Sequence, residues 1–273
     1  MDNVLKYEGK RVIVTGAASG MGAATAALLV ELGAEVHAID VKKPDISGLA
    51  SFSECDLSRP EQINATVGKI GSIVNALFNC AGLPNTFGGL QVMLVNFCGL
   101  REVTEAVVPH MLEGSAIASI ASTAGIGWMA NMEKLSGLLA TEDFRAAEAW
   151  CEARPADLAN AYGLSKEAIN AYTALRSFTL APAGIRINCV NPGPTDTPMM
   201  PEFEKAVGKR YMDEFPIPLG RHAVAEEQAW PLLFLNSPRA SFVTGEQFEC
   251  DGGFKAGLFT RQIDPSVLMP EGA

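Results

Sequence analysis

The chain has 273 residues, 48% of them hydrophobic, and a net charge of −10 at pH 7, with a mean hydropathy of +0.15. That length and apolar content suit one large α/β core covered on both sheet faces. The acidic balance, with no Lys/Arg run longer than Lys42-Lys43, excludes a nucleic-acid surface, because it repels the phosphate backbone.

In chain order, short β-branched runs alternate with longer helical stretches, the pattern of βαβ units around a parallel sheet. The first strand is Arg11 to Thr15, followed by an Ala- and Leu-rich helix from Gly20 to Leu32 that Gly33 closes. The second strand is Glu35 to Asp40, and a short third lies at Ser51 to Glu54. The next helix starts near Pro60, with Ser58 as its expected N-cap. A fourth strand covers Ile73 to Asn79. A long helix over Gly89 to Leu112 then leads to a fifth strand, Ala116 to Ala121. The segment 126–158 is irregular, with a helix expected over Glu142 to Glu152. After it come a long helix at Ala159–Leu180, a strand at Ile185–Val190, a loop from Pro192 to about Gly220, a helix at Ala225–Leu235 and a last strand at Gly245–Cys250. The reading is a single-domain, Rossmann-type doubly wound parallel sheet of about seven strands, with a helical insertion at 126–158.

No apolar run reaches the roughly 18 residues of a membrane span. The opening MDNVLKYEGKR lacks the apolar core of a secretion signal, so a cytoplasmic location with no membrane partner is expected. The six cysteines form no C-x-x-C pair, and His37, His110 and His222 lie far apart. A metal site is therefore not expected.

The turn Thr15-Gly16-Ala17-Ala18-Ser19-Gly20-Met21-Gly22 sits between the first strand and the first helix. Glycines there permit a tight turn and let backbone N–H groups and a helix N-terminus approach a pyrophosphate. Asp40 ends the second strand, where a carboxylate can accept both hydroxyls of an adenosine ribose and repel a 2′-phosphate. The cofactor expected is therefore NAD rather than NADP, although Lys42 and Lys43 stand close by.

These and later motifs resemble the short-chain dehydrogenase/reductase family over Gly9 to Gly253. In family order they are the Thr15–Gly22 turn, Asp56-Leu57, Asn79-Cys80-Ala81-Gly82, Asn96, Ser122, Tyr162-Gly163-Leu164-Ser165-Lys166 and Asn191-Pro192-Gly193. Pro218-Leu219-Gly220-Arg221, Thr244-Gly245 and Asp251-Gly252-Gly253 complete the series. The resemblance implies an NAD(H)-dependent alcohol dehydrogenase/carbonyl reductase in which Tyr162 is the acid/base. Lys166 holds the nicotinamide ribose, Ser122 bonds the substrate oxygen, and Asn96 holds a water on the proton path. It implies cofactor contacts from Gly16, Ser19, Gly20, Met21, Gly22, Asp40, Asp56, Leu57, Asn79, Ala81, Gly82, Tyr162, Lys166, Pro192, Gly193, Thr195 and Thr197. The spacing from Ser122 to Tyr162 exceeds the family's common one. A similar insertion occurs in the subgroup resembling bacterial 3α-hydroxysteroid dehydrogenase/carbonyl reductase. Enoyl-reductase relatives place the lysine farther from the tyrosine than here, so the resemblance favours hydroxyl/carbonyl chemistry.

A carbonyl receiving hydride develops negative charge on oxygen and needs a proton donor. Bringing a phenol from about 10 to near neutrality takes about 4 kcal/mol of preferential phenolate stabilisation. An ammonium one helical turn away, as Lys166 is from Tyr162, can supply much of it. For Asn96 the other reading is an amide bonded to nearby backbone. Thr195 and Thr197 read equally as loop hydroxyls.

The run Met199-Met200-Pro201-Glu202-Phe203 lies within 194–220, where the family carries a substrate lid. With Leu83, Trp128 and Met129 it reads as the wall of a site for a bulky apolar alcohol or ketone, such as a steroid, terpenoid or aromatic. A homo-oligomer, dimer or tetramer, is implied through Ala225–Leu235 and the last strand. Two other readings stand beside this one, a catalytically silent NAD(H)-binding redox sensor and a dehydratase or epimerase on the same scaffold.

Overall fold

The computed structural model describes residues 4–71 and 73–268; the first three residues of the opening segment lie outside them. Nine strands run in chain order: β1 (Arg11–Thr15), β2 (Glu35–Asp40), β3 (Ser51–Glu54), β4 (Ala76–Asn79), β5 (Ala116–Ile120), β6 (Arg186–Pro192), β7 (Thr195–Asp196), β8 (Ala223–Val224) and β9 (Gln247–Cys250). Seven of them form one sheet in the order β3-β2-β1-β4-β5-β6-β9, every pair parallel. The chain moves outward from β1 to β3, then crosses back to β4 on the other side of β1. That reversal opens a crevice beyond the carboxyl ends of β1 and β4, where α/β sheets place ligands.

The helices are α1 (Gly20–Glu31), α2 (Pro60–Ile70), α3 (Gly89–Met93), α4 (Leu100–Val107), α5 (Met132–Leu139), α6 (Phe144–Glu152), α7 (Ala161–Leu180), α8 (Met200–Val207), α9 (Lys209–Asp213), α10 (Ala225–Asn236) and α11 (Phe254–Phe259). Alternation along the strands divides the core. Val12, Val14, Ala76, Phe78 and Ala118 face one layer, which includes Leu29 of α1 and Leu232 and Leu233 of α10. Ile13, Leu77, Ile117 and Ile187 face the other, which includes Val103 of α4 and Ile169 of α7. Successive side chains on a strand point to opposite faces, so a run such as VIV is buried throughout only when both faces are covered.

The expected boundaries shift at several places. The fourth strand starts at Ala76, because Ile73 adopts φ 67, a left-handed backbone that cannot continue a strand. The last strand starts at Gln247, after Gly245 at φ 77. Ser58 does not cap α2. Its hydroxyl donates to Asp56 Oδ1 at 2.8 Å, and Arg59 occupies the N-cap with no side-chain bond, leaving Pro60 to open the helix.

The long helix expected from Gly89 is interrupted by a π-helical turn at Leu94–Gly99 and finishes in a 3-10 turn at Val108–His110, which contains Pro109. The turn lies against the connection between β3 and α2: a Cβ on Gly99 would stand 2.3 Å from the Leu57 carbonyl oxygen.

Within 126–158 the expected helix is α6, capped by the Asp143 carboxylate accepting the Ala146 N–H at 2.8 Å. A second helix, α5, was not anticipated, although Met132, Leu135 and Leu138 repeat every three residues. Leu135, Leu138, Phe144, Ala147 and Trp150 bury themselves against the layer of α7 and the π turn. The buried Arg101 guanidinium ties the segment down by donating to Thr141 Oγ1 at 2.9 Å and the Asp143 carbonyl at 2.7 Å. All six cysteines are free, and no helix of the described residues is long and apolar enough to cross a membrane.

Candidate functional site

A cavity of about 1390 Å³ occupies the crevice beyond β1, β4, β5 and β6. At one end is the glycine turn. Gly16 has φ +69, and a Cβ on it would stand 2.6 Å from the Ala81 backbone; a Cβ on Gly22 would stand 2.0 Å from the Gly16 carbonyl oxygen. Only glycine permits this approach of the turn to α1 and to the end of β4. Thr15 Oγ1 holds the same junction, accepting the N–H groups of Cys80 (3.1 Å) and Ala81 (3.3 Å). Ser19 is the N-cap of α1 and makes no side-chain bond to the helix. Ser19, Gly20 and Met21 line the cavity, so the start of α1 faces it with its positive dipole end.

Asp40 lines the same end. Its Oδ2 accepts the Ala18 N–H at 2.9 Å and its Oδ1 the Lys42 N–H at 3.0 Å, which fixes the carboxylate beside the turn. Asp56 and Leu57 form the neighbouring wall, followed by Ala81 and Gly82 after β4. Pro192 and Gly193 at the end of β6, with Thr195 and Thr197 beyond, close the opposite side. Thr195 Oγ1 donates to the Gly193 carbonyl at 2.9 Å, and the Thr197 side chain approaches Gly20. The close-packed glycine cradle and a helix N-terminus facing the cavity suit a dinucleotide.

Ser122 and Tyr162 meet in the middle of the cavity. Ser122 follows β5, and its backbone N–H donates to Asn191 Oδ1 at 3.2 Å. Its hydroxyl accepts the Ala124 N–H at 3.1 Å and lies near enough to the Tyr162 phenol to draw its pKa down. Tyr162 lies in the first turn of α7, which Asn160 caps by accepting the Gly163 N–H at 3.1 Å. The ring of Phe203, from α8, packs edge-on against the Tyr162 ring with centroids 5.0 Å apart.

Three expected site residues do not line the cavity. Lys166 lies beneath it, 3% exposed. Its ammonium donates to the Ile120 carbonyl at 2.9 Å and lies 5.4 Å from the Tyr162 ring centroid. Asn96, in the π turn, spends its amide on Leu83, accepting its N–H at 2.7 Å and donating to its carbonyl at 2.9 Å, with a further bond to Ser165 Oγ at 3.2 Å. The side chain thus bonds the backbone of Leu83, thirteen positions earlier. Asn79 is buried among the strands and donates to Thr104 Oγ1 at 3.0 Å and Ser119 Oγ at 3.3 Å.

The chain's own groups do not bring the phenol toward neutrality. Burial pushes Tyr162 above its ordinary value, and the Ser122 hydroxyl works against that. The ammonium is turned toward a backbone carbonyl and the ring. Burial brings Lys166 itself down to about 8, opposed by the Cys189 and Cys80 thiols. Because this folded value lies below the unfolded one, the unfolded chain binds more protons between about pH 8 and pH 10.5, and the contribution of Lys166 to stability rises with pH through that window. Lys166→Met is therefore expected to be more stable than the parent at pH 7, by up to about 3 kcal/mol. The advantage should shrink toward pH 10 in thermal melts of the cofactor-free protein, and an unchanging gap would contradict the account.

The far wall is apolar. Met199, Met200 and Phe203 line it as the sequence reading expected, with Leu83. Trp128 instead packs on the core and Met129 points outward, 66% exposed; neither lines the cavity. Sequence reasoning missed Phe87, Tyr211, Phe215 and Phe254. The ring centroids of Phe215 and Phe254 lie 4.5 Å apart although 39 positions separate them, so no local pattern could have joined them. Asn85 and Glu167 also reach the cavity unanticipated.

Comparison with known proteins agrees with this geometry. Residues 10–134 match the family model described as short chain dehydrogenase, and residues 150–255 match one described as enoyl-(acyl carrier protein) reductase. The chain is 30% identical to coniferyl-alcohol dehydrogenase of a Pseudomonas species, over 91% of this chain and 98% of that protein. It is 31% identical to 3-alpha-hydroxysteroid dehydrogenase/carbonyl reductase of Comamonas testosteroni, over 92% and 99%. The crystal structure of 3-alpha-hydroxysteroid dehydrogenase from Pseudomonas sp. B-0831 complexed with NADH superimposes with a TM-score of 0.78 at 28% identity, covering 93% of this chain and all of that one. With its glycine turn, its Ser122–Tyr162 pair and these full-length relatives, the chain belongs to the short-chain dehydrogenase/reductase family of oxidoreductases.

Proposed function

We propose that this protein is an NAD(H)-dependent dehydrogenase/reductase acting on a bulky, apolar secondary alcohol or its ketone. The observation that carries the reading is the Tyr162 side chain and Ser122 lining one cavity that has a glycine cradle and Asp40 at one end and Met199, Met200, Phe203 and Phe215 at the other.

Bound nicotinamide would supply the hydride in reduction and accept it in oxidation. In reduction, Tyr162 gives its proton to the substrate oxygen as negative charge develops there, and in oxidation it takes the proton from the hydroxyl. Ser122 holds the same oxygen by a hydrogen bond. Lys166 is buried beneath the phenol, its ammonium 5.4 Å from the Tyr162 ring centroid and bonded to the Ile120 carbonyl, and in this reading it holds the nicotinamide ribose. The backbone of the glycine turn and the start of α1 hold the pyrophosphate. Asp40 accepts the adenosine ribose hydroxyls and opposes a 2′-phosphate, which favours NAD over NADP. Segment 194–220 is the substrate lid, with α8 resting on the Tyr162 ring. Apolar lining of this kind binds ring systems through shape and dispersion rather than charge, and the relatives named for coniferyl alcohol and a 3α-hydroxysteroid fit that choice.

The protein acts in the cytoplasm as a homo-oligomer in this reading. Trp230 and Phe234 of α10 are 43% and 40% exposed and Phe242 is fully so, apolar area that self-association would cover. The test is NADH absorbance with coniferyl alcohol, cyclohexanol and a 3α-hydroxysteroid and their carbonyl counterparts, each run with NAD(H) and NADP(H). Turnover with NAD(H), at least tenfold above that with NADP(H), is expected. Tight NADH binding with no turnover across the panel would replace this reading by the redox-sensor one.

A further inference from the structure

The helix that carries Tyr162 is capped twice, and the second cap comes from elsewhere in the chain. Tyr162 is the second residue of α7, so its N–H is one of the donors at a helix start that has no partner within the helix. Asn160, the residue just before the helix, serves only Gly163. The Tyr162 N–H donates instead to Asn85 Oδ1 at 2.8 Å, across 77 positions of sequence. Asn85 opens the 3-10 turn Asn85–Phe87, which follows Gly82 and Leu83 on the way out of β4. The same turn packs against α8, and Phe203 of that helix rests its ring on the Tyr162 ring. One short turn therefore holds the Tyr162 backbone directly and its ring through α8.

We infer that Asn85 is a positioning residue for Tyr162, setting where the phenol stands relative to the substrate oxygen, and that it does so without contributing to dinucleotide affinity. The inference rests on the reading of Tyr162 as the acid/base. A backbone bond in the first helical turn controls the pivot of the side chain, and displacement of a reacting group by about 1 Å can cost on the order of 100-fold in rate. Asp40, at the glycine-turn end of the cavity, bonds the Ala18 and Lys42 N–H groups, whereas Asn85 bonds the Tyr162 N–H.

The experiment compares Asn85→Ala, Asn85→Asp and Tyr162→Phe, using the panel alcohol with the highest kcat/KM. NADH affinity is read by fluorescence titration and folding by thermal melts. Asn85→Ala is expected to lose kcat about 10- to 100-fold, with KM and the NADH Kd changing by less than about threefold. Asn85→Asp keeps an acceptor for the same N–H and adds a charge that suits a helix N-terminus, so it is expected to recover most of kcat. Full kcat in Asn85→Ala, with Tyr162→Phe inactive, overturns the inference alone. So does a loss in Asn85→Ala that follows NADH affinity or melting and that Asn85→Asp does not restore. Retained turnover in Tyr162→Phe overturns the acid/base reading and the inference with it.

Discussion

Tyr162→Phe is expected to lower kcat by roughly 1,000-fold, within the 10²–10⁴ range for losing a positioned proton donor, while NADH binding stays within a few-fold of the parent. Removing the hydroxyl takes away the proton-transferring group that lines the cavity with Ser122, and it leaves the ring in place against Phe203. Packing is therefore conserved and chemistry is not. In oxidation the parent's rate should climb with pH through the alkaline range, because burial holds the phenol above its ordinary value and only the ionised form accepts the proton. The variant's residual rate should lack that climb. Steady-state kinetics across pH, with NADH titration beside them, check both statements. A variant with parental kcat would remove Tyr162 from the chemistry.

Gly22→Ala is expected to weaken NADH binding by at least 100-fold and to cost about 1–3 kcal/mol of stability, the range for forcing an extra carbon into a packed site. Its Cβ would stand 2.0 Å from the Gly16 carbonyl oxygen, and that atom belongs to backbone pinned by the Gly16 N–H bond to Ile39 at 2.9 Å. Neither side can yield without opening the turn that is to hold the pyrophosphate. Gly68→Ala is the control. It lies within α2 with nothing inside 4 Å of the added carbon, and alanine there should stabilise by about 0.5–1 kcal/mol. Fluorescence titration and thermal melting read both variants. Parental NADH affinity in Gly22→Ala would mean that the cradle lies elsewhere.

Two of the missed features share a cause. The π turn and α5 depend on contacts between distant segments. Asn96 bonds Leu83, and the Arg101 guanidinium reaches Thr141 and Asp143. Ser58 looked like a cap because hydroxyl-then-proline is a frequent helix opening, but the Asp56 carboxylate two residues earlier competes for the hydroxyl at shorter range. Trp128 and Met129 follow Ser122 closely, yet the turn at 123–125 sends them onto the core and the surface.

Three things could be read from the chain alone. Alternating apolar runs and glycine punctuation specified a doubly wound parallel sheet, because period and turn chemistry are local. The Thr15–Gly22 turn could be placed at the junction of β1 and α1, because only glycine admits that backbone. The Tyr162–Lys166 interval put phenol and ammonium one helical turn apart. Tertiary structure decided the rest. It buried Lys166 beneath the cavity with its ammonium on a carbonyl, closed the apolar wall with Phe215 and Phe254, and brought Asn85 to the start of the Tyr162 helix. Each of these joins residues tens of positions apart, and such meetings are set by how layers pack around a shared core, which no local pattern encodes.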